Sequence, residues 1–311
     1  VGSEMCIRDS NRPNGDLSEL YWLQALPAGW LLAVGKMDFA AWADTNAFAN
    51  NERTQFSSIG LINNAIAGVF FPYTANGAFL AYTSPNQHHN VDLVFAKQKA
   101  SVGQTGFDDL DNSDNSYAIQ YTFTTEIDNK PGHYLIAGAY STKDLDKFEV
   151  GRGVIRRSEL VDEIQLPQVI EEDENYTVIG NFHQFLWVKD SATSRRDGTP
   201  VGIGIFARAG WAPDDRNVVD QFYSFGLGGY GMLIPGRDKD NWGIGWSGTH
   251  ISDDLRKFVP TLDSWEHNYE VFYNFAVAPS VYLTLNAQAI EPANGELDTA
   301  LAVGARLQID F

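Results

Sequence analysis

The stretch LAVGARLQIDF, residues 301–311, decides the fold class of this chain. Leu301, Val303, Ala305, Leu307, Ile309 and Phe311 share one parity, while Gly304, Arg306, Gln308 and Asp310 share the other. Side chains along a β-strand point alternately to opposite faces, so this segment reads as a strand with one apolar and one polar face. A strand that meets lipid on one side and a polar lumen on the other shows this alternation over about ten residues.

The same rule recurs upstream. Residues 117–123 set Tyr117, Ile119, Tyr121 and Phe123 against Ala118, Gln120 and Thr122. Residues 201–211 set Val201, Ile203, Ile205, Ala207, Ala209 and Trp211 against Gly202, Gly204, Phe206, Arg208 and Gly210, a small and cationic parity suited to a channel wall. Segments 242–247, 269–277 and 281–289 alternate in the same way. Weaker candidates at 17–26, 30–36, 65–73, 78–83, 91–98, 134–140, 176–188 and 221–227 bring the expectation to roughly fourteen strands. Connections 38–64 and 143–175 carry little alternation and are too long for hairpins. Long connections in a compact fold tend to be functional or disordered, and in a barrel one of them can fold inward and set the lumen's width.

A soluble β-sandwich would alternate too, with its apolar face turned to a core. Three features favour an all-β, antiparallel transmembrane barrel with an inward-folded long loop. The segments exceed the five or six residues of an average strand, at roughly ten each. Trp and Tyr gather near strand ends, as interfacial girdles do, and the second parities are rich in Gly, Thr, Asn and Gln.

Composition narrows the partners. Aromatics make up 13% of the 311 residues, with 28 Gly and only 3 Met, a profile of strands and turns. A net charge of −18 excludes nucleic acid as a partner, because backbone binding needs a basic surface. The acidic balance fits calcium or exclusion of anionic solutes better. The single cysteine, Cys6, lies in VGSEMCIRDS, residues 1–10, which has no initiator Met and resembles a translated sequencing-adaptor scar. Those ten residues are expected to be an artefact, leaving 11–311 as a single domain with an incomplete N-terminus. A remainder without thiols is compatible with an exported protein that uses no disulfides. No apolar run reaches the ~18 residues of a membrane-spanning helix.

Both ends of the chain carry a resemblance. GDLSELYWLQAL at 15–26 holds ELYW at 19–22, and WLLAVGKMDFAAWADTNAFANNERTQF at 30–56 holds a GK-x-D element at 35–38 and N-x-F-x-N-x-E-x-x-QF at 46–56. NYEVFYNFAVAPSVYLTLNAQAIEPA at 268–293 then leads to the terminal strand. In order and spacing these resemble the carbohydrate-selective porin family, OprB type, of Gram-negative outer membranes. The resemblance implies a barrel of about sixteen antiparallel strands, an even number as in other single-chain barrels, and passive diffusion of sugars. It also implies a signal peptide and one or two strands ahead of residue 11. Phe311 looks like the C-terminal assembly signal that barrel-insertion machinery reads, and outer-membrane lipid and lipopolysaccharide would surround the barrel.

Candidate site residues fall into three groups. Lys36, Asp38, Glu52, Arg53 and Gln55 are opposed charges and an amide beside the first long loop. If the loop folds inward, Glu52 and Arg53 would face each other across a constriction and exchange hydrogen bonds with sugar hydroxyls; the alternative is a salt-bridged turn. Trp22, Trp42, Phe48, Trp187 and Phe206 could offer flat faces to sugar rings, Trp42 and Phe206 foremost, although a lipid-interface girdle explains most tryptophans. Phe206, Arg208, Glu270, Asn286, Gln288, Arg306 and Gln308 fall on the expected lumen parity. Mixed charges and amides suit neutral polar solutes, whereas a phosphate pore would want rings of Arg or Lys.

Other motifs carry less. DDLDNSDNS at 108–116 has calcium-like carboxylate density without the order of an EF-hand, and reads as a solvated turn. His88 and His89 are adjacent, would face opposite ways on a strand, and read as loop residues without a metal. The chain has no P-loop, G-x-S-x-G or H-E-x-x-H motif. The expectation is a passive porin with no cofactor, no metal and no enzymatic chemistry, conducting sugars and other small neutral solutes; a homo-oligomer is left open. Its rivals are a soluble secreted carbohydrate-binding module or glycosidase, and a structural barrel with a plugged lumen.

Overall fold

The computed structural model describes residues 19–39, 42–72, 74–98, 114–143, 145–150, 169–172, 174–189 and 198–310. Thirteen antiparallel strands form one sheet. They are β1 (Leu20–Leu26), β2 (Trp30–Met37), β3 (Ala75–Thr83), β4 (His89–Lys97), β5 (Asn115–Ile127), β6 (Lys130–Ser141), β9 (Asn175–Val188), β10 (Gly202–Trp211), β11 (Val219–Tyr230), β12 (Asn241–Ile251), β13 (Trp265–Ala278), β14 (Val281–Glu291) and β15 (Ala300–Ile309). β7 (Leu145–Val150) and β8 (Val169–Glu172) pair as a separate ribbon, so β6 joins β9 directly. Every other strand of the main sheet pairs with its neighbour in sequence. Among the described residues β1 pairs only with β2, and β15 only with β14.

Period-two reading locates each strand of the main sheet. Its one excess strand, 65–73, is instead part of the loop between β2 and β3, where α2 (Ala67–Phe70) follows α1 (Ile59–Ile62). Ile66 and Phe70, four apart, are the fully buried residues there. That spacing is one face of a helical turn, which a short apolar run does not distinguish from a strand. The ribbon inside 143–175 was not expected. His89 opens β4 and was expected in a loop; its Nδ1 lies 2.8 Å from the Tyr121 hydroxyl.

The two faces separate as the alternation requires. Leu93 pairs with Ile119 and Ile244 with Val271 across neighbouring strands, and all four are exposed on the outer face. Val303 on β15 is 87% exposed. The other parity holds buried polar groups, among them Gln120, Asn181, Arg208 and Glu270. This is the inverse of a soluble fold, and it fits a solvent that is apolar on the outside.

Connections alternate between the two ends of the sheet. One end carries short turns at 27–29, 84–88, 128–129 and 279–280; the other carries 38–74, 98–114 and 142–174. At the two-residue turn between β5 and β6, Asp128 and Asn129 both take positive φ, 52° and 58°, the backbone of a type I′ turn, which matches the twist of the flanking strands. The first end also carries the longer connections 189–201 and 231–240, but the three longest connections all lie at the second.

The loop 38–74 lies inside the curl of the sheet. Thirteen strands laid flat at about 4.8 Å spacing would put β1 and β15 about 58 Å apart. Yet this one loop touches both flanks. Phe39 and Trp42 pack with Phe79 of β3, while Gln55 receives a hydrogen bond from Arg306 of β15. Only a strongly curved sheet can meet one compact segment from both sides.

Candidate functional site

The described loop residues form no strand, and their asparagines satisfy backbone groups that the loop's own turns leave over. Asn46 Oδ1 accepts from the Phe48 N–H at 3.0 Å, Asn50 Oδ1 from Asn46 at 2.7 Å, and Asn51 Oδ1 from Arg53 at 2.9 Å. Asn64 Oδ1 accepts from Ile66 at 3.1 Å. Side-chain carbonyls of this kind imitate a backbone turn, which is why an Asn-rich segment folds compactly without strands. Gln55 adds a cross-brace. Its Oε1 accepts from the Asn50 and Asn51 N–H groups at 2.7 and 2.8 Å, and its Nε2 donates to the Ala47 carbonyl at 2.7 Å.

Apolar knobs on the loop enter sockets made by glycines on the wall. Phe48 lies where a Cβ on Gly204 or Gly228 would approach within 2.5 or 2.6 Å, and Phe56 and Leu61 occupy the corresponding space over Gly243 and Gly245. The small parity of β10 to β12 is therefore a seat for aromatic rings. Phe48 and Phe185 have ring centroids 4.7 Å apart, Phe56 and Phe272 also 4.7 Å, and Phe56 and Phe206 5.6 Å. These residues form a core between loop and wall.

Three polar anchors tie the same face of the loop down. At the first, Arg208 Nε donates to Asp44 Oδ2 at 3.0 Å, Nη1 to the Leu61 carbonyl at 3.0 Å, and Nη2 to the Ala49 carbonyl at 2.6 Å. The guanidinium fork matches a carboxylate and several carbonyls at once, which a lysine could not do. Asp44 takes a left-handed backbone, φ 53°, and also accepts from Asn181 Nδ2 at 2.7 Å and from the Asn64 N–H at 3.0 Å. Asn46 Nδ2 donates to Asn181 Oδ1 at 2.7 Å. With the Arg208 side chain wholly buried, each charge depends on the other.

At the second anchor Glu270 accepts from the Ser57 N–H, the Ser57 hydroxyl and the Ser58 N–H, each at 2.8 Å. Asn286 Nδ2 donates to Ser57 Oγ at 2.6 Å, and Gln288 donates to the same oxygen. At the third, Arg306 donates to the Gln55 carbonyl.

The structure thus brings together Gln55, Phe206, Arg208, Glu270, Asn286, Gln288 and Arg306, all at the contact between loop and wall. Phe206, expected to offer a face to sugars, is 1% exposed beneath Phe56 and meets protein instead. Phe48 is buried in the same core. Trp42 is half-buried at the base of the loop, edge-on to Tyr21 at 5.6 Å and 5.3 Å from Phe79. Trp22 and Trp187 are exposed. Lys36 is buried near the end of β2, and just beyond that strand the Asp38 N–H donates to Glu19 at 3.4 Å. Glu52 and Arg53 are exposed at the loop's far turn, where the Arg53 carbonyl accepts from Thr284 at 3.4 Å. Neither side chain forms an ion pair among the described residues. Gln308 donates to Asp310 at 2.7 Å. Phe311 and residues 108–113 lie outside the described residues.

Asp44, Asn46, Asn64 and Asn181 were not singled out from sequence. Asn181 had a usable signal, since it shares the inward parity of 176–188 with Thr177 and Ile179. Asp44 had none, because it sits in an irregular segment without a period.

Comparison with known proteins follows the same geometry. The family model described as carbohydrate-selective porin, OprB family, matches residues 16–311. Porin B of Pseudomonas aeruginosa is 26% identical over 204 residues, a match covering 58% of this chain but 41% of that protein's length. A high-pH structure of Pseudomonas putida OprB aligns with a TM-score of 0.75 at 20% identity, covering 95% of this chain and 73% of that one. A low-pH structure of the same protein aligns with a TM-score of 0.55 at 16% identity, covering 95% and 67%. At such identities the solved structures speak for the fold, and the family model speaks for kinship along nearly the whole chain. This chain, an antiparallel sheet wound around an inward loop with its apolar face outward, belongs to the carbohydrate-selective porin family, OprB type, of the bacterial outer membrane.

Proposed function

We propose that the chain conducts sugars and other small neutral solutes passively, with the loop 38–74 as a fixed constriction. One observation carries this reading: a loop inside the sheet is bound to its wall by buried charges and seated aromatics, and a loop so held would narrow a lumen by a set amount. Glu52 and Arg53, exposed at the far turn, would meet the solute, while Lys36, Asp38 and Trp42 sit at the loop's base. Opposite charges beside amides favour polyols over ions of either sign.

The outer face supports a lipid setting over a soluble sugar-binding module or glycosidase. Leu301, Val303 and Leu307 are 82%, 87% and 66% exposed on one strand, a contiguous apolar surface that a soluble monomer rarely tolerates. Lipid and lipopolysaccharide would cover that face, and the insertion machinery would read the terminal strand. No covalent step is required of the protein.

Reconstitution in planar bilayers and in liposomes tests the reading. The expected result is discrete channels that glucose or maltose partly blocks, with liposomes swelling in glucose. Intact barrels that neither conduct nor swell would overturn it in favour of a plugged structural barrel. Arg53→Ala should alter sugar block; unchanged block removes Arg53 from the constriction.

A further inference from the structure

The wall made by β4, β5, β6 and β9 bonds the loop at Gln120 and Asn181 but leaves a stretch between them and the loop unfilled. Its inward residues include Val94, Ala118, Ala137, Ala139 and Ile179. Across from them the loop presents Ile59, Gly68 and Phe71, and between the two lies a cavity of about 290 Å³. Three observations show that this space is left open. Ile59 is 61% exposed although it lies inside the sheet, while Ile62 of the same helix is buried. A Cβ on Gly68 would meet nothing within 4 Å. The three alanines stand on the parity that carries larger side chains at Arg208 and Glu270.

At its polar edge the cavity is bordered by Asp44, whose carboxylate is paired with Arg208, and by Asn63, Asn64, Gln120 and Thr177. An apolar pocket with a few polar groups to one side is the usual anatomy of a small-molecule site. A bare sugar gains little there, because its hydroxyls would lose water against alanine and isoleucine without replacement partners. A flat or alkyl group gains by leaving water.

We propose that this cavity is a subsite for glycosides that carry an apolar aglycone, the aryl or alkyl group lying against Ile59 and the alanine wall and the sugar toward the amide edge. The choice of a glycoside rests on the sugar-channel reading; the apolar half rests on the cavity alone. Free sugars cross without using it, whereas aryl glycosides dwell in it.

The test uses the whole protein, purified in an amine-oxide detergent so that no glycoside detergent occupies the cavity, and inserted into planar bilayers. Phenyl β-glucoside, glucose and phenol are compared as blockers of ion current. Phenyl β-glucoside should block at a concentration about tenfold below glucose, the ratio that a modest apolar contact supplies. Gly68→Phe should abolish that advantage while glucose block stays within about twofold, and Ile59→Asn should reduce it. Heat-modifiable gel mobility checks that both variants are folded barrels. Equal block by phenyl β-glucoside and glucose in the unmodified protein overturns the subsite but leaves the sugar channel standing. Parallel loss of both in Gly68→Phe also overturns it, since the cavity is then only part of the bore. Phenol matching phenyl β-glucoside overturns the sugar half. Strong phenyl β-glucoside block with no glucose effect overturns the sugar-channel reading and keeps the apolar site.

Discussion

The two sides of the loop meet walls of opposite character, though both walls lie on the same parity of one sheet. Toward β10 to β15 the wall offers Arg208, Glu270, Asn286 and Arg306 between glycine sockets, and the loop's carbonyls, N–H groups and rings fit against them. Toward β4, β5, β6 and β9 it bonds the loop through Gln120 and Asn181 but otherwise offers alanine, valine and isoleucine, and leaves a cavity. Inward parity therefore does not by itself specify polarity. Polar side chains stand where irregular loop backbone has groups to satisfy, as at Arg208 and Glu270 on one side and Gln120 and Asn181 on the other, and small apolar ones stand beside the cavity.

The sharpest way to break this contrast is Arg208→Ala. Removing one member of a buried ion pair leaves the Asp44 carboxylate uncompensated and costs about 3–5 kcal/mol. The loop should detach, so single-channel conductance should rise and become noisy, and the barrel should lose its compact gel mobility at a lower temperature. Glu270→Ala strands the Ser57 and Ser58 donors and should cost about 1–3 kcal/mol, read as current flicker at the second anchor with the first intact.

Paired glycine substitutions sharpen the contrast further. Gly228→Ala pushes a methyl into Phe48 and should destabilise by about 1–3 kcal/mol. Gly68→Ala places the same methyl in open space within α2 and should stabilise by about 0.5–1 kcal/mol. Thermal unfolding followed by circular dichroism would show opposite signs; equal signs would mean that the two walls are packed alike. Arg53→Ala should change stability least, within about 0.5 kcal/mol, because its side chain is exposed, so any change in sugar block reports on permeation and not on folding.

The strands were legible because period-two alternation persists wherever the two faces have different surroundings, as it does along β5 and β10, whereas β1, LYWLQAL, is apolar on both parities and exposed throughout. The alternation misled at 65–73, where Ile66 and Phe70 satisfy a helical spacing inside the loop. The inward orientation of Arg208, Glu270 and Asn286 was readable from the same alternation, but not what they meet. A polar residue facing water and one facing a loop carbonyl give the same pattern. Gly202, Gly204 and Gly210 looked like a smooth channel wall for the same reason, because a socket and its occupant, as at Gly204 and Phe48, lie more than 150 positions apart. Asp44 was invisible since its role depends on Arg208, Asn181 and Asn64 converging on one carboxylate from three separate segments.

The bond from Arg306 to the Gln55 carbonyl joins residues 251 positions apart. Contacts of such separation are among the last a chain can make. The loop proposed as the constriction thus emerges early but receives its final clamp only when the last strand docks. Fixing of the loop and completion of assembly become one event, and a sheet stalled before β15 would be recognisable by its loose interior.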